Sequence, residues 1–264
     1  MSLALKTEKL KRRLQELESA VVAFSGGVDS AVLVVIAAQV LKDKMCAATA
    51  VSPSLPTVDK QSALKLCQER NIKHFWFETN EFAKPEFTAN SENRCYYCKK
   101  TLYECLWQKA EPLGYKFIIE GTNASDLKGH RPGALASREN PHVVTPLIDC
   151  EFTKEEVREL AGNLAIEVAQ KPASACLSSR IPFGSQLTPD LMKKIDQAEE
   201  IVRKYGFTQI RVRDHGNLAR LELKSAEFQL ALACHQKLVV ELQNLGYNFV
   251  TLDLKGYRTG GSAG

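Results

Sequence analysis

The chain has 264 residues, a formal net charge of +4 and a pI near 8.5, with 44% hydrophobic and 25% charged residues. These values are ordinary for a soluble globular protein, and the length allows one large domain or one domain plus a smaller one. The longest apolar run, residues 31–41, is too short to span a bilayer, and the weak, dispersed positive charge suits small anions rather than nucleic acid.

The expected cellular compartment determines how the cysteines of this chain are interpreted. No secretory signal is visible, because the apolar stretch at residues 3–5 is far too short, and we therefore expect a cytoplasmic protein. Eight cysteines in such a protein indicate metal binding or redox chemistry for some of them rather than a disulfide framework. Four cysteines lie inside periodic segments and are predicted to be core thiols: Cys46, Cys67, Cys105 and Cys234.

Predicted helices and strands alternate over the first two-thirds of the chain. A first amphipathic helix is predicted at residues 7–18. Strands are predicted at residues 21–24, 46–51, 73–79, 117–120 and 143–147, with helices between and after them at 31–41, 57–70, 95–109 and 153–164. This order predicts an α/β fold, a parallel sheet with helices on both faces, whose ligands bind at the carboxyl ends of the strands. The turns at Ser25, Ser52 and Gly121 all fall on that edge.

Three shorter segments complete this region. Residues 80–94 are polar and patternless, which predicts a loop or short helix, and residues 130–133 predict a basic turn. Thr153-Lys154-Glu155-Glu156 has the pattern of a capping box and predicts the start of the last helix.

The most informative stretch joins the first strand to its helix, from Val21 to Ser30. At such a turn the unpaired amides and the positive end of the helix dipole face an anion together, which predicts phosphate binding. Gly26 and Gly27 let the backbone bend sharply, and Ser25 and Ser30 add hydroxyl donors. The carboxylate of Asp29 would repel phosphate unless a cation lies between them, and Mg²⁺ is the obvious intermediary.

This turn is neither a Walker loop nor a Rossmann fingerprint. It lacks the Gly-Lys-Ser/Thr ending of the first and the G-x-G-x-x-G spacing of the second. Ser25-Gly26-Gly27-Val28-Asp29-Ser30 instead resembles the PP-loop of ATP pyrophosphatases, which split ATP between the α and β phosphates and adenylylate a substrate. An ordinary glycine-containing turn between strand and helix is the alternative interpretation.

The composition changes at residues 171–184, a small-residue stretch without periodicity. Beyond it a compact α+β unit is predicted, with helices at residues 189–205 and 226–245 and strands at 209–213, 218–223 and 248–252. We therefore place a domain boundary near residue 180, which gives domains of residues 1–180 and 181–264 with the Cys176 loop at the boundary.

Cys95-x-x-Cys98 is a dithiol or half of a metal site at the start of a predicted helix. A redox disulfide would need a thioredoxin-like context, and a zinc site would need a second Cys/His pair at short spacing. Three cysteines can hold a [4Fe–4S] cluster with one iron left open, and Cys176, in a small-residue loop flanked by arginine, is the natural third ligand. Two unremarkable thiols at a helix start are the alternative.

A pair of arginines marks the C-terminal region. Arg211 and Arg213 alternate on a predicted strand and therefore project to the same face, as a phosphate clamp or a solvated basic edge. Glu199 and Glu222 flank this strand in sequence and could bring a metal there, although acidic residues on exposed elements are common.

Six segments spread over the chain form a recognisable set. They are SGGVDS at 25–30, GTNASD at 121–126, RPG at 131–133, KPASACLSSRIP at 171–182, RVR at 211–213 and GYRTG at 256–260. Together they resemble LarE, the family of ATP-dependent sulfur transferases of nickel-pincer nucleotide synthesis. The resemblance covers nearly the whole chain, and the segment around Cys176 is its most distinctive part.

The LarE resemblance implies a reaction and a sulfur source. ATP at the PP-loop adenylylates the carboxylates of pyridinium-3,5-biscarboxylic acid mononucleotide, and sulfur then displaces AMP to leave thiocarboxylates. In one type of member the cysteine matching Cys176 gives up its own sulfur and becomes dehydroalanine. The other type also has a cysteine pair and holds a [4Fe–4S] cluster that carries an extra sulfide. Because it has Cys95 and Cys98, this chain resembles the cluster type, which implies a sulfide or sulfur donor as a partner.

The same resemblance assigns residues to roles and implies a homo-oligomer formed through the C-terminal domain. The implied ATP and Mg²⁺ site comprises Ser25, Gly26, Gly27, Asp29, Ser30 and Gly121. The implied substrate-phosphate and metal residues are Ser179, Arg211, Arg213, Glu199 and Glu222, and the implied catalytic residues are Asp29 and Cys176.

Three rival functions share some of these features. A tRNA thiolase also combines a PP-loop with cysteines, but no basic stripe with interleaved aromatics is present for RNA. An amidating PP-loop synthetase would need an ammonia source, usually a glutaminase domain. A zinc-stapled nucleotide-binding module is the non-catalytic alternative.

Overall fold

The computed structural model describes residues 1–127, 132–170 and 175–258. The chain forms two compact units. The first comprises Met1–Phe87 and Glu92–Ser174, and the second comprises Thr88–Ser91 and Ala175–Gly264. The predicted boundary was residue 180, whereas the second unit begins at Ala175 and includes a short segment from the middle of the chain.

The first unit is built on a five-stranded sheet with the order β3-β2-β1-β4-β5. Every neighbouring pair in it is parallel, which confirms the predicted α/β fold. Its strands are β1 Ala20–Ala23, β2 Met45–Val51, β3 His74–Glu78, β4 Phe117–Ile119 and β5 Val143–Val144. Its helices are α1 Leu3–Gln15, α2 Val28–Leu41, α3 Thr57–Glu69, α4 Pro85–Thr88, α5 Arg94–Ala110, α6 Pro132–Glu139, α7 Pro146–Asp149 and α8 Lys154–Asn163.

The core of this unit forms around α2, which is apolar along nearly its whole length and packs against α1 and α8. The middle residues of β1 are fully buried, as expected for the central strand of a parallel sheet covered on both faces. The rigid centre of the unit therefore holds the turn between β1 and α2 in place.

Three predicted elements differ from those observed. Helix α1 begins at Leu3 rather than residue 7, because the Ser2 hydroxyl accepts a hydrogen bond from the Leu5 amide and caps the helix there. The predicted strand at residues 143–147 is wrong in its last part, since Pro146 lacks an amide hydrogen and starts α7 instead. Of the predicted basic turn, His130 and Arg131 lie outside the described residues, and Pro132 opens α6.

The second unit has a three-stranded sheet with the order β6-β7-β8. Strand β6 (Ile210–Asp214) runs antiparallel to β7 (Leu218–Leu223), which is parallel to β8 (Phe249–Leu252). Helices α9 (Pro189–Lys204) and α10 (Phe228–Gln243) pack on it around their own hydrophobic core. This is the predicted small α+β unit. Within the described residues, no helix has both the length and the apolar composition needed to cross a membrane.

Candidate functional site

The turn between β1 and α2 has the geometry of an anion site. Strand β1 ends at Ala23 and Gly27 is the N-cap of α2, without a side-chain hydrogen bond to the helix amides. The hydroxyls of Ser25 and Ser30 lie 3.2 Å apart, and Ser30 Oγ donates to the Gly27 carbonyl oxygen at 3.1 Å. The first amides of α2 are therefore not satisfied by a capping side chain and are suited to bind phosphate oxygens.

Gly26 is required by both backbone conformation and space. Its φ is +76°, in the left-handed region that side chains rarely adopt. A Cβ atom placed there would lie 2.4 Å from the Asp59 carbonyl oxygen, which belongs to helix α3. The turn therefore lies directly against the backbone of a neighbouring helix.

We expect Gly26→Ala to destabilise the first unit and to abolish nucleotide binding, because the turn must move away from Asp59. The matched control is Gly114→Ala, at a φ of +81° with no atom within 4 Å of the added carbon. The control isolates the backbone cost of about 1–2 kcal/mol. Denaturant unfolding and a nucleotide-binding assay check this prediction, and equal behaviour of the two variants would contradict it.

Asp29 lies in the first turn of α2 and both of its carboxylate oxygens are engaged. Asn123 Nδ2 donates to Oδ1 at 3.0 Å, and the Lys154 ammonium donates to Oδ2. The side chains of Asp29 and Lys154 are 20% and 27% exposed. The carboxylate is therefore oriented by an amide, neutralised by an ammonium and still accessible from solvent.

Gly121, at the end of β4, brings that strand close to the turn. A Cβ atom on it would lie 3.1 Å from the Ser30 amide nitrogen. The preceding residue, Glu120, is buried in an ion pair with Lys99 of α5 and also accepts from the Thr122 amide at 3.0 Å. Burial acts to raise the pKa of Glu120, but Lys99 and the Thr122 hydrogen bonds outweigh it and lower the pKa, so the carboxylate is ionised.

In the second unit, a 3₁₀ turn at Leu177–Arg180 lies among buried charges. Arg180 makes two hydrogen bonds to Glu199, at 2.7 and 3.0 Å, and donates to Ser179 Oγ at 3.0 Å. Arg213 makes two to Glu222, at 2.9 and 3.1 Å, and donates to the Ser179 carbonyl oxygen at 2.5 Å. Two arginines and their carboxylate partners thus surround Ser179.

Arg211 differs from these two arginines. It is 5% exposed, its guanidinium lies 4.7 Å from the centre of the Tyr257 ring, and Nη1 donates to the Arg258 carbonyl oxygen at 3.1 Å. Within the described part of the chain, no carboxylate forms an ion pair with it. Burial, together with the charges of Arg180 and Arg213, lowers the pKa of Arg211. A buried cation without a partner of opposite charge is suited to bind an anion.

Cys176 lies immediately before this 3₁₀ turn and is half-buried. Its carbonyl oxygen accepts from the Ser179 amide at 2.9 Å and from Arg180 Nη1 at 3.2 Å. The segment at residues 171–174 before it, which carries part of the motif identified from the sequence, lies outside the described residues, as do Thr259 and Gly260.

Cys95 and Cys98 lie in the first turn and a half of α5, in the first unit, whereas Cys176 belongs to the second. Cys95 is exposed and Cys98 is half-buried. Among the described residues there is no group of three or more His, Cys, Asp or Glu side chains arranged to hold a metal ion. Of the predicted core thiols, Cys46 and Cys67 are buried and burial raises the pKa of each to about 11, whereas Cys105 and Cys234 are half-buried.

Sequence reasoning missed several of these side chains. Lys154 appeared only as an inner position of a capping box, and its partner Asp29 is far away in sequence. Lys99 and Glu120 carried a weak signal: one follows the cysteine pair directly and the other ends a strand just before Gly121. Pairing between distant charges is set by the sheet order, which the sequence alone does not specify.

Comparison with known proteins identifies the family. A family model described as NAD synthase matches residues 4–98. An uncharacterized protein of Synechocystis sp. is 41% identical over 257 residues, which covers 97% of this chain and 96% of the relative. The pyridinium-3,5-bisthiocarboxylic acid mononucleotide synthase of Lactiplantibacillus plantarum is 33% identical over 260 residues, which covers 98% and 94%. This chain belongs to that synthase's family, LarE.

Membership of the LarE family makes the chain an enzyme with a PP-loop fold and accounts for the architecture of its first unit. A more distant similarity extends to one of the subunits of the glutamine-hydrolyzing GMP synthase of Pyrococcus furiosus. The two chains are 24% identical over 205 residues, 70% of this chain and 63% of that protein.

Proposed function

We propose that this LarE-family enzyme is an ATP-dependent sulfur transferase. In the proposed reaction it adenylylates the carboxylates of pyridinium-3,5-biscarboxylic acid mononucleotide and replaces AMP by sulfur to give thiocarboxylates. The observation that carries the proposal is the PP-loop turn from Ser25 to Ser30 in a chain that aligns over nearly its full length with a synthase named for the bisthiocarboxylic product.

The turn supplies the binding half of this chemistry. A carboxylate is a poor electrophile because it is already anionic, and an acyl adenylate gives it a good leaving group. The amides at the start of α2, with the Ser25 and Ser30 hydroxyls, bind the phosphates that leave as pyrophosphate. Asp29 is suited to be a ligand of Mg²⁺, because its carboxylate is accessible and lies beside the proposed phosphate site. Bound Mg²⁺ would neutralise charge on the departing pyrophosphate.

The second unit supplies a site for the phosphate of the mononucleotide. Arg211 is the strongest candidate, because its buried charge has no carboxylate partner among the described residues. Arg213 and Ser179 lie beside it in the same cluster. The pairing of Arg213 with Glu222 makes this arginine a supporting residue that also stabilises the unit.

The proposed metal role of Glu199 and Glu222 fits this cluster poorly. Both oxygens of Glu199 accept hydrogen bonds from Arg180, and both oxygens of Glu222 accept from Arg213. A metal ion would have to displace a buried guanidinium from each carboxylate, at a cost of several kcal/mol. We assign these glutamates the role of counter-ions and derive no metal chemistry from them.

Arg211→Ala is expected to weaken binding of the mononucleotide by about 1.5–3 kcal/mol, the range for hydrogen bonds to charged groups, while ATP affinity stays unchanged. Arg213→Ala should in addition destabilise the protein by about 3–5 kcal/mol, because Glu222 stays buried and keeps only the longer contact with Arg220, at 3.4 Å. Arg203→Ala, in the last turn of α9, is the control. Titration calorimetry with each ligand checks the assignment, and an equal loss of ATP affinity would show it to be wrong.

For the sulfur source we propose a three-cysteine [4Fe–4S] cluster held by Cys95, Cys98 and Cys176. The donor chemistry fits, since thiolates are the usual ligands of such clusters, and the first two lie one turn apart at the positive end of α5. When bound, the cluster would supply sulfide without consuming a cysteine of the chain. The alternative is that Cys176 gives up its own sulfur. A separate sulfur donor and a homo-oligomer remain part of the proposal.

One experiment tests the proposed function as a whole. The purified protein is incubated with ATP, Mg²⁺ and the biscarboxylic acid mononucleotide, and AMP, pyrophosphate and thiocarboxylate are quantified. We expect release of AMP that depends on the mononucleotide and matches the thiocarboxylate formed. Release of AMP with tRNA and not with the mononucleotide would favour a tRNA thiolase, and no release with either would reject an adenylylating enzyme.

A further inference from the structure

Lys154 occupies a position that helix energetics disfavour. It is the first residue of α8, where the positive end of the helix dipole repels a cation. Even so, hydrogen bonds fix the position of the Lys154 backbone. Thr153 and Glu156 form a complete capping box, and the Lys154 amide donates to Ser125 Oγ at 3.0 Å in the segment after β4.

A further contact from α1 reinforces this arrangement. The Lys6 ammonium donates to both carboxylate oxygens of Glu156 at 2.8 Å and to the Glu151 carbonyl oxygen at 2.8 Å. The capping box, the segment after β4 and helix α1 therefore together fix the position of the Lys154 backbone. From there its ammonium reaches Asp29, which lies in the phosphate turn.

The donors of Lys154 are only partly used. A lysine ammonium has three N–H donors and can make three hydrogen bonds. Among the described residues its acceptor is Asp29, and the side chain is 27% exposed, so further donors face solvent beside the turn. Asn123 already orients the Asp29 carboxylate at 3.0 Å without a charge. The charge of Lys154 is therefore not needed to orient Asp29, whereas it would offset the repulsion between this carboxylate and an incoming phosphate.

We propose that Lys154 is a phosphate-binding residue of the ATP site, whose ammonium is shared between Asp29 and the phosphates that leave as pyrophosphate. This inference rests on the proposed function. In the free enzyme Lys154 neutralises Asp29. In the nucleotide complex it donates to phosphate oxygens, while the cation that accompanies ATP takes over part of the charge on Asp29.

The test uses two probes, inorganic pyrophosphate with Mg²⁺ and adenosine, each titrated calorimetrically into the full-length protein. Lys154→Met should weaken pyrophosphate binding about 10- to 100-fold, the range for hydrogen bonds to charged groups, and leave adenosine binding unchanged. Lys154→Arg should restore most of the pyrophosphate affinity. The control is Lys116→Met. Lys116 lies just before β4 and pairs with Glu18, which lies just before β1. This ion pair is therefore at the amino ends of the strands, whereas Lys154 lies near their carboxyl ends.

Each other outcome counts against the inference. Equal pyrophosphate affinity in the wild type and Lys154→Met overturns it, and a parallel loss of adenosine binding would assign Lys154 a purely structural role. If the wild-type protein binds neither ATP nor pyrophosphate, the proposed function fails together with this inference. If the wild type binds both and Lys154→Met binds pyrophosphate equally well, only the inference about Lys154 fails. Should Lys154→Met not fold, Lys154→Gln takes its place, since its amide can still donate to Asp29, and the same outcomes apply.

Discussion

Replacing Asp29 by Ala is expected to abolish adenylylation, with a loss of at least about 100-fold in the release of AMP and pyrophosphate. The side chain removed is partly exposed to solvent and is not part of the hydrophobic core. The expected defect is in stabilising charge on the leaving pyrophosphate rather than in folding. Asp29→Asn, which keeps the shape and the contact with Asn123, should show nearly the same defect, because the charge is what matters.

The control for this experiment is Asp43→Ala. Asp43 lies just beyond the other end of α2 with a side chain that is 95% exposed, so its removal should leave both activity and melting temperature unchanged. Near wild-type AMP release by Asp29→Ala would mean that Asp29 is not part of the catalytic site. A large fall in its melting temperature would show that the loss of activity comes from unfolding.

The second large effect concerns sulfur. Changing Cys95, Cys98 or Cys176 to Ala should each remove most of the iron and acid-labile sulfide after anaerobic purification, together with multiple-turnover activity, because a cluster with three ligands does not tolerate the loss of one. The matched control is Cys105→Ala, a half-buried cysteine on the same helix as the first two. Iron retained in all three variants would refute the cluster.

Intact-mass analysis after turnover separates the cluster from the sacrificial mechanism. If the cluster supplies sulfur, Cys176 remains a cysteine and the mass of the chain is unchanged. Conversion of Cys176 to dehydroalanine would lower the mass by about 34 Da, the loss of H₂S in elimination chemistry open to thiols. A single turnover accompanied by that loss would establish Cys176 as the donor, even in a protein that contains the Cys95–Cys98 pair.

The sequence predicted the elements whose signals are local. The long apolar run at residues 31–41 predicted α2, and the capping box Thr153 to Glu156 is present as predicted. Errors arose where one residue decided a boundary, as when Ser2 started α1 early and Pro146 ended a predicted strand. A single cap or a missing amide hydrogen carries too little signal to outweigh the periodicity of its surroundings.

The sequence predicted on which elements the candidate site residues lie, but not how their side chains pair. The SGGVDS turn and the two arginines on β6 were identified from their spacing, and both are where the pattern indicated. That Glu222 would pair with Arg213 rather than lie free for a metal depends on the register of β6 against β7, which places Glu222 opposite Arg211 and diagonal to Arg213. Register is a property of two strands together, and neither strand alone reveals it.

The second unit is discontinuous in the chain, and this constrains how the protein can be divided or assembled. Its segment Thr88–Ser91 is joined to the rest by hydrogen bonds from the Leu187 amide to the Thr88 carbonyl oxygen at 2.8 Å and from the Gly184 amide to the Asn90 carbonyl oxygen at 3.1 Å. During synthesis these four residues leave the ribosome long before Gly184 and Leu187, so they cannot form these hydrogen bonds while most of the first unit is being made. For the same reason no single cut separates the two units, since a fragment that begins at Ala175 lacks these four residues.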